Sequence, residues 1–190
     1  MEAALDYDAM CGGRDTALFY AAVDRTGRLV GGMRAKFPLR SAAEAHAMVE
    51  WRGQPGEDAV RKMISDRLPF GVVECGTAWV ADTFLRRDVV AKAWARMFFP
   101  SLSLLHVDFV LATAAAHALD RWRSSGAVVA KEIPAVPYPN DRYRTKMIWW
   151  ERRTLSQHAD ADQLKKMLLE MRTVRRTLSY SSPSPLTGSR

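Results

Sequence analysis

Glu74 is the residue whose type and setting most clearly suggest chemistry in this sequence. It is the only charged residue of the run FGVVECGTAWVA at 70–81, where the other side chains are apolar or small. A carboxylate that is partly removed from water can take up a proton near neutral pH, so Glu74 is our candidate for a general base. The alternative is that Glu74 lies on the solvent face of a strand or pairs with an arginine.

The residues around Glu74 predict a strand that leads into a helix. Valine and tryptophan in 72–80 favour a pleated backbone, and a turn at 82–83 precedes a helix-forming segment that begins at Arg86. A strand followed by a helix N-terminus is a common arrangement for binding phosphate. Arg86 and Arg87 are therefore candidates for binding the phosphate of a cofactor. The alternative for both is an exposed basic turn.

The rest of the chain predicts a mixture of strands and helices in the order β-β-α-α-β-α-β-α-β-β-α. Periodicity and turn residues favour an α/β protein of the α+β type, with a mixed central sheet flanked by helices. The predicted strands are 17–23, 29–37, 70–82, 106–113, 128–133 and 143–153. The predicted helices are 41–51, 57–68, 86–99 with a resumption at 101–105, 114–125 and 156–178.

Two local patterns sharpen this assignment. The turn DRTGR at 24–28 predicts a hairpin, and Gly31 and Gly32 in its second strand predict a bulge or the close approach of a neighbour. Ser41 and Glu44 have the spacing of a capping box, which predicts that a helix begins at Ser41.

Composition limits the class of protein. The chain has 190 residues with 48% hydrophobic and 26% charged content, which suits one globular domain and an appendage. Its first residues, MEAALDYDAM, lack the basic and apolar regions of a secretion signal, and no apolar run has membrane-spanning length. We therefore expect a cytoplasmic protein without a membrane span. Cys11 and Cys75 are predicted to be free thiols, and we expect no metal site.

The net charge of +7 predicts an acidic partner: nucleic acid, an anionic membrane surface, a phosphorylated cofactor or an acidic carrier protein. Much of the excess lies at 142–153 and 165–176. Neither cluster interleaves aromatic residues with glycines as single-strand binders do, which disfavours nucleic acid. The absence of G-x-G-x-x-G and of a P-loop likewise disfavours a Rossmann protein and a nucleotide kinase.

Over about residues 6–153 the chain resembles the GNAT acyltransferases, and within them the branch of acyl-homoserine lactone synthases and N-acyl amino acid synthases. The likeness lies in the element order and in short patterns: an acidic lead-in, a turn before G-x-x-R, and an acidic residue on the central strand. In this sequence these are Asp6, Asp8 and Asp15, then VDRTGR at 23–28 before GGMR at 31–34, then Glu74. Thr77 occupies the position of the arginine in the E-x-x-R signature, which fits the amino acid acylating relatives better than the lactone synthases.

The resemblance implies transfer of an acyl group from a phosphopantetheine thioester to the amine of an amino acid or a similar small molecule. It implies no tightly bound cofactor, with acyl-CoA or acyl carrier protein as co-substrate. The family's pyrophosphate loop is absent after Asp82, where TFLRR at 83–87 stands instead. An acidic acyl carrier protein is thus as suitable a donor as coenzyme A, because it would suit the basic surface.

The same resemblance implies roles for further residues. Glu74 would act as the base, directly or through water, and backbone N–H groups near Trp79, Val80 and Ala81 would polarise the thioester carbonyl. Arg34 would bind a substrate carboxylate, with a surface ion pair as the alternative. The acyl chain would contact Trp79 and a group of apolar side chains that could equally be core residues. A tyrosine would protonate the leaving thiolate. The apolar group is Trp94, Phe98, Phe99, Leu102 and Phe109. The candidate tyrosines are Tyr138 and Tyr143, with a packing role as the alternative.

These expectations divide the chain into three parts: a GNAT-like acyltransferase domain at 1–153, an amphipathic basic helix at 154–180 and a disordered tail at 181–190. A different function remains open on the sequence. The chain could be a catalytically silent GNAT-like binding module whose basic surface contacts an acidic partner.

Overall fold

The computed structural model of the protein describes residues 15–181. The strands in this range form one six-stranded sheet in the order β1-β2-β3-β4-β6-β5. The sheet is mixed because β3 and β4 are parallel and the other neighbours are antiparallel. The predicted fold class is confirmed. The strands are β1 Thr16–Val23, β2 Leu29–Lys36, β3 Val72–Val80, β4 Phe109–Ala115, β5 Val128–Val129 and β6 Thr145–Glu151.

Seven α-helices surround the sheet in the described part of the chain. They are α1 Ala47–Glu50, α2 Glu57–Arg67, α3 Arg87–Trp94, α4 Phe98–Leu104, α5 Leu119–Arg123, α6 Leu155–His158 and α7 Ala161–Ser181. Short 3-10 turns at Ala42–Glu44, Leu68–Phe70 and Ala116–Ala118 connect some of them.

The hairpin β1–β2 forms as predicted. The carboxylate of Asp24 accepts hydrogen bonds from the backbone N–H groups of Thr26 and Arg28, and Gly27 has a φ of 82°. The hydrogen bonds of Asp24 fix the turn. Gly27 suits its position because glycine adopts a left-handed backbone more easily than other residues do.

Strand β3 exchanges one partner for another along its length. Val72, Val73 and Glu74 pair with Phe109, Val110 and Leu111 of β4, and the parallel pairing ends there. From Cys75 onward the registered partner is β2. Strands β3 and β4 therefore part after Glu74 and Leu111, and a gap opens in the middle of the sheet.

Each face of the sheet is covered by its own apolar cluster. One cluster joins Val73 and Cys75 to residues of α3, α4 and α7, including Trp94, Phe98 and Met167. The other joins Val72 and Leu111 to the segment of α1 and α2. Because side chains alternate along a strand, Glu74 points to the α1 face and Cys75 to the α3 face.

Several predicted boundaries were wrong for local reasons. Ser41 makes no side-chain cap and Glu44 instead accepts a hydrogen bond from the N–H of Arg40, so the segment forms a 3-10 turn and the short helix α1. The helix predicted at 86–99 ends at Trp94, and a separate helix, α4, begins at Phe98. Pro100 lies in the first turn of α4, where its missing N–H leaves no helical hydrogen bond unmade.

The last two predicted elements also changed. The strand at 128–133 is only two residues long, and the helix at 156–178 is divided into α6 and α7. Met167 and Met171 of α7 are buried, and Arg96 makes a bidentate ion pair with Glu170. The assignment of 154–180 to a separate appendage stays a prediction. The tail beyond Ser181, Cys11 and the acidic lead-in before Asp15 lie outside the described residues.

Candidate active site

A cleft of about 550 Å³ lies on the α3 face, beside the part of β3 that no longer pairs with β4. Residues from the end of β3, from α3 and from α5 line it, so three separate parts of the chain meet there. The lining includes Trp79, Val80, Arg87, Trp94, Arg121 and Trp122. Four of these residues, Trp79, Val80, Arg87 and Trp94, were predicted from the sequence, and the fold brings them together.

A backbone irregularity marks the wall of this cleft. Two residues of β3, Thr77 and Ala78, lie opposite one residue of β2, which is a β-bulge. Thr77 has a φ of 55°, an unfavourable conformation for a β-branched residue. Gly76, Thr77 and Ala78 are exposed, and β4 does not pair with this part of β3. Strained backbone of this kind concentrates at functional sites.

Positive charge lies at the mouth of the cleft. Arg86 and Arg87 are exposed at the start of α3, and the guanidinium of Arg87 is 3.0 Å from the carboxylate of Asp82. Arg121 of α5 lines the same cleft as Arg87, and Arg86 is the neighbour of Arg87 in the chain. Sequence reasoning missed Arg121, because residues 95–118 separate the two helices that line the cleft. The predicted role of Ala81 loses support, since its N–H donates to the carbonyl of Val30.

Two of the tryptophans that line the cleft, Trp79 and Trp94, pack closely against Gly31 and Gly32. The indole N–H of Trp94 donates to the carbonyl of Trp79. A methyl group on Gly31 would lie 2.8 Å from that carbonyl oxygen, and one on Gly32 would lie 2.7 Å from the indole nitrogen of Trp79. The predicted close approach at this glycine pair is therefore present.

Two of the residues predicted to line an acyl tunnel lie outside the cleft. Phe98 is buried and stacks on Trp150, with ring centroids 3.6 Å apart. Phe109 is the first residue of β4, where its ring contacts Trp149 and the guanidinium of Arg67. We correct both assignments. Phe98 belongs to the core because it stacks on Trp150, and Phe109 lies where β4 is still paired with β3, outside the cleft.

Glu74 is buried and surrounded by hydrogen-bond donors. Its Oε2 accepts from the backbone N–H of His46 at 2.6 Å and lies 2.9 Å from the ammonium of Lys36. Its Oε1 accepts from the N–H of Ala47 at 2.9 Å. Both oxygens are therefore occupied, and this arrangement holds the start of α1 against the sheet. A catalytic role for Glu74 stays a prediction.

Arg34 lies on the same face of the sheet as Glu74. Its guanidinium is 2.6 Å from the carboxylate of Asp15 and also donates to Thr16. The side chain is mostly buried, and its neighbour across the sheet is Gly76 at the edge of the gap. Arg34 thus lies beside the candidate site, already paired with one carboxylate.

Sequence reasoning missed a second buried carboxylate on this face, Glu50 at the end of α1. The hydroxyl of Thr113 in β4 donates to its Oε1 at 2.8 Å. The imidazole Nε2 of His46 lies 3.7 Å from the same oxygen and 2.9 Å from the hydroxyl of Tyr138. The spacing of His46 and Glu50, four residues apart in a helix-forming segment, was the available signal.

Burial sets the protonation of this group of residues. It raises the pKa of Glu50 to about 8; the Thr113 hydrogen bond opposes the rise and the charge of Glu74 adds to it. Burial also lowers the pKa of His46, as do Lys36 and Arg34, while Glu74 acts in the opposite direction. The pKa of Tyr138 is raised by burial and by Glu50. Neutral forms are thus favoured near pH 7.

Residues 15–181 offer neither a metal site nor a membrane-spanning helix. No group of three or more histidine, cysteine, aspartate or glutamate side chains is arranged to hold a metal ion. No helix there combines the length and apolar character needed to cross a membrane. Cys75 is a buried free thiol, and burial raises its pKa to about 12.

No family model matches the chain. It is similar to two mycobacterial relatives described as uncharacterized proteins, Rv1356c of Mycobacterium tuberculosis (strain H37Rv) and Mb1391c of Mycobacterium bovis. Each is 58% identical over 182 residues, which cover 96% of this chain and 69% of the relative.

Among solved structures, the chain is similar to FeeM, an N-acyl amino acid synthase from uncultured soil microbes. The TM-score is 0.54 with 10% sequence identity, over 83% of this chain and 85% of that chain. The GNAT family N-acetyltransferase YhbS from Escherichia coli, in complex with CoA, gives a TM-score of 0.47 at 12% identity, over 77% of this chain and 64% of that chain. The likeness to FeeM shows a shared fold.

Proposed function

The chain belongs to the same family as the mycobacterial proteins Rv1356c and Mb1391c and has the GNAT fold, and from this we propose that it is an N-acyltransferase. It moves an acyl group from a phosphopantetheine thioester to the amine of an amino acid or a similar small molecule. The donor is acyl-CoA or acyl carrier protein, held as a co-substrate.

The observation that carries this proposal is the parting of β3 and β4 beside the bulge at Gly76–Ala78. An extended thioester can lie between the diverging strands, and backbone N–H groups at the exposed bulge can polarise its carbonyl. The bulge residues take over the role predicted for Ala81, whose N–H is already bonded to Val30.

The surroundings of the cleft support an anionic donor. Arg86, Arg87 and Arg121 can bind phosphate at the mouth, and Trp79 and Trp94 offer apolar surface deeper in the cleft. An acidic carrier protein would be attracted by these arginines and, more generally, by the net charge of +7. Both donor types therefore suit the cleft.

The amine enters from the opposite, polar face of the sheet. Arg34, Lys36 and Glu74 lie on this face, and a methyl group on Gly76 would meet no atom within 4 Å, so there is space beside Glu74. An arginine at this edge suits an acceptor that carries a carboxylate, as an amino acid does.

Thiol release tests the proposal directly. The wild-type protein should release free thiol from an acyl-CoA or an acyl carrier protein only when a suitable amine from a panel of amino acids and polyamines is present. Mass spectrometry should identify the N-acyl product. Arg121→Ala should raise the KM for the donor about tenfold, corresponding to the loss of one charge-assisted contact. Arg123→Ala on the same helix, outside the cleft lining, is the matched control.

A second candidate function rests on α7. Its surface carries five exposed basic residues, Lys165, Lys166, Arg172, Arg175 and Arg176. A catalytically silent module would use this helix to contact an acidic partner. Tight binding of a polyanion by a protein that releases no thiol with any donor would favour this second function over the first.

A further inference from the structure

Glu50 has an incomplete set of partners deep inside the protein. Its side chain is 4% exposed, and Thr113 satisfies only Oε1. No donor in the described part of the chain reaches Oε2, which is fully buried. A buried carboxylate oxygen without a donor is unfavourable, and such groups are retained where they have a function.

The position of Glu50 relates it to the gap in the sheet. Its partner Thr113 lies two residues beyond Leu111, the last residue of β4 that pairs with β3. Across the gap is Gly76, whose α1 side is open. Glu50 therefore lies against the strand that borders the space where the acceptor amine would meet the thioester.

Glu74 is less suited to accept a proton, although it lies nearby on the same face. Three donors occupy its two oxygens, and adding a proton would break at least one of these contacts. Glu50 has one donor and one oxygen to spare. The two carboxylates thus differ in the property that a general base needs.

We propose that Glu50 is the general base of the acyl transfer and that Glu74 is a positioning residue that holds α1 in place. This inference rests on the proposed function. As the amine nitrogen bonds to the thioester carbonyl carbon, the Glu50 carboxylate takes up one N–H proton. The C–S bond then breaks with its electron pair on sulfur, and the thiolate takes one proton from solvent water to leave as a thiol, which balances the proton that Glu50 returns to solvent.

Two partly exposed residues lie beside Glu50, where its proton can exchange with solvent. His46 Nε2 lies 3.7 Å from Glu50 and is hydrogen-bonded to the hydroxyl of Tyr138, and both residues are partly exposed. The pKa of the imidazole is lowered, so burial favours its neutral form. Three ionisable groups face Glu50: His46 just before α1, Glu74 on β3 and Tyr138 before β6. The charges of Lys36 and Arg34 on β2 in turn lower the pKa of His46.

The inference predicts a characteristic pH profile. With the pKa of Glu50 raised to about 8, the carboxylate form increases as the pH rises through this value, and kcat/KM increases with it. The position of this limb should not change when the acceptor is replaced by an amine of different basicity. A second limb, from the amine itself, should move with the acceptor.

The test compares Glu50→Gln with wild type in the thiol-release assay, with Glu132→Gln on an exposed site as the matched control. Glu50→Gln should lower kcat about 100-fold or more and remove the acceptor-independent limb, with the KM for the donor unchanged. Glu132→Gln should behave as wild type. Thr113→Val should move the limb to higher pH, because it removes the hydrogen bond that lowers the pKa of Glu50.

Infrared difference spectroscopy gives a readout that needs no turnover. A protonated carboxyl band should titrate near pH 8 in wild type, be absent in Glu50→Gln and titrate at higher pH in Thr113→Val, which covers the case in which Glu50→Gln fails to fold. An active Glu50→Gln, or a limb that persists in it, overturns this inference alone. A wild-type protein that releases no thiol overturns the proposed function together with it.

Discussion

The two halves of strand β3 have opposite surroundings. Its first residues, Val72–Glu74, are buried and pair with β4. From Gly76 to Trp79 the strand is exposed, contains a bulge and pairs with β2 instead. One continuous strand therefore contains a closed half and an open half, which meet at Glu74 and Cys75.

The difference separates residues that hold the fold from residues that are available for a ligand. In the closed half the polar group, Glu74, has donors on both oxygens. Beside the open half, Glu50 has an oxygen without a donor and Gly76 has free space next to it. Groups that the chain leaves unsatisfied next to a gap are the ones that substrate can engage.

The largest loss of stability on substitution is expected in the closed half. Glu74→Gln removes the charge that balances the largely buried ammonium of Lys36 and places an amide N–H₂ near two backbone donors. The free energy of unfolding should fall by about 3 kcal/mol in urea denaturation, because a buried charge is left uncompensated. Glu44→Gln, at an exposed acid paired with Arg40, should change it by less than about 1 kcal/mol. Equal effects of the two substitutions would contradict a holding role for Glu74.

A pH-dependent effect on stability is expected beside the open half. The pKa of Glu50 in the folded protein is about 8 and its ordinary value is 4.5. The folded state therefore binds more protons than the unfolded state between these values, so the stabilisation present below pH 4.5 is lost as the pH rises to about 8. The loss should be a few kcal/mol in wild type.

Glu50→Gln should lack this dependence and be more stable than wild type at about pH 8.5. Denaturation at a series of pH values measures it, and Glu132→Gln, at an exposed acid, serves as the control for general charge effects. A wild-type protein whose stability does not change over this range would show that Glu50 is not held in its neutral form.

Much of the fold could be predicted from the sequence because it depends on local pattern. The hairpin follows from Asp24 and Gly27, and β3 follows from its valines. The candidate acid Glu74 was found for the same reason, as a charge in an apolar run. The cleft residues Trp79 and Arg87 follow from their place at the end of that run.

The partners of Glu74 could not be predicted, because they depend on tertiary contacts. Lys36 and His46 come from separate elements, and nothing local to either residue indicates that they meet one carboxylate. Glu50 was missed for a related reason: its partner Thr113 is 63 residues away. Phe98 was misassigned because an apolar stripe does not reveal whether it faces a cleft or a neighbour such as Trp150.

A single added methyl group should have different effects beside the closed half and in the open half of β3. Gly71, just before β3, has a φ of 81°, and a methyl group there would lie 3.0–3.1 Å from atoms of Val107. Gly76 has no atom within 4 Å of that position. Gly71→Ala should lower the free energy of unfolding by about 2 kcal/mol, through backbone strain and crowding.

Gly76→Ala should change the free energy of unfolding by less than about 0.5 kcal/mol, because the added methyl group enters open space. Thermal denaturation of the two variants beside wild type measures both effects. A loss at Gly76 as large as the loss at Gly71 would mean that β3 is packed along its whole length. The gap that the acyl transfer requires would then be closed in solution, so this smallest substitution tests the feature on which the proposed site depends.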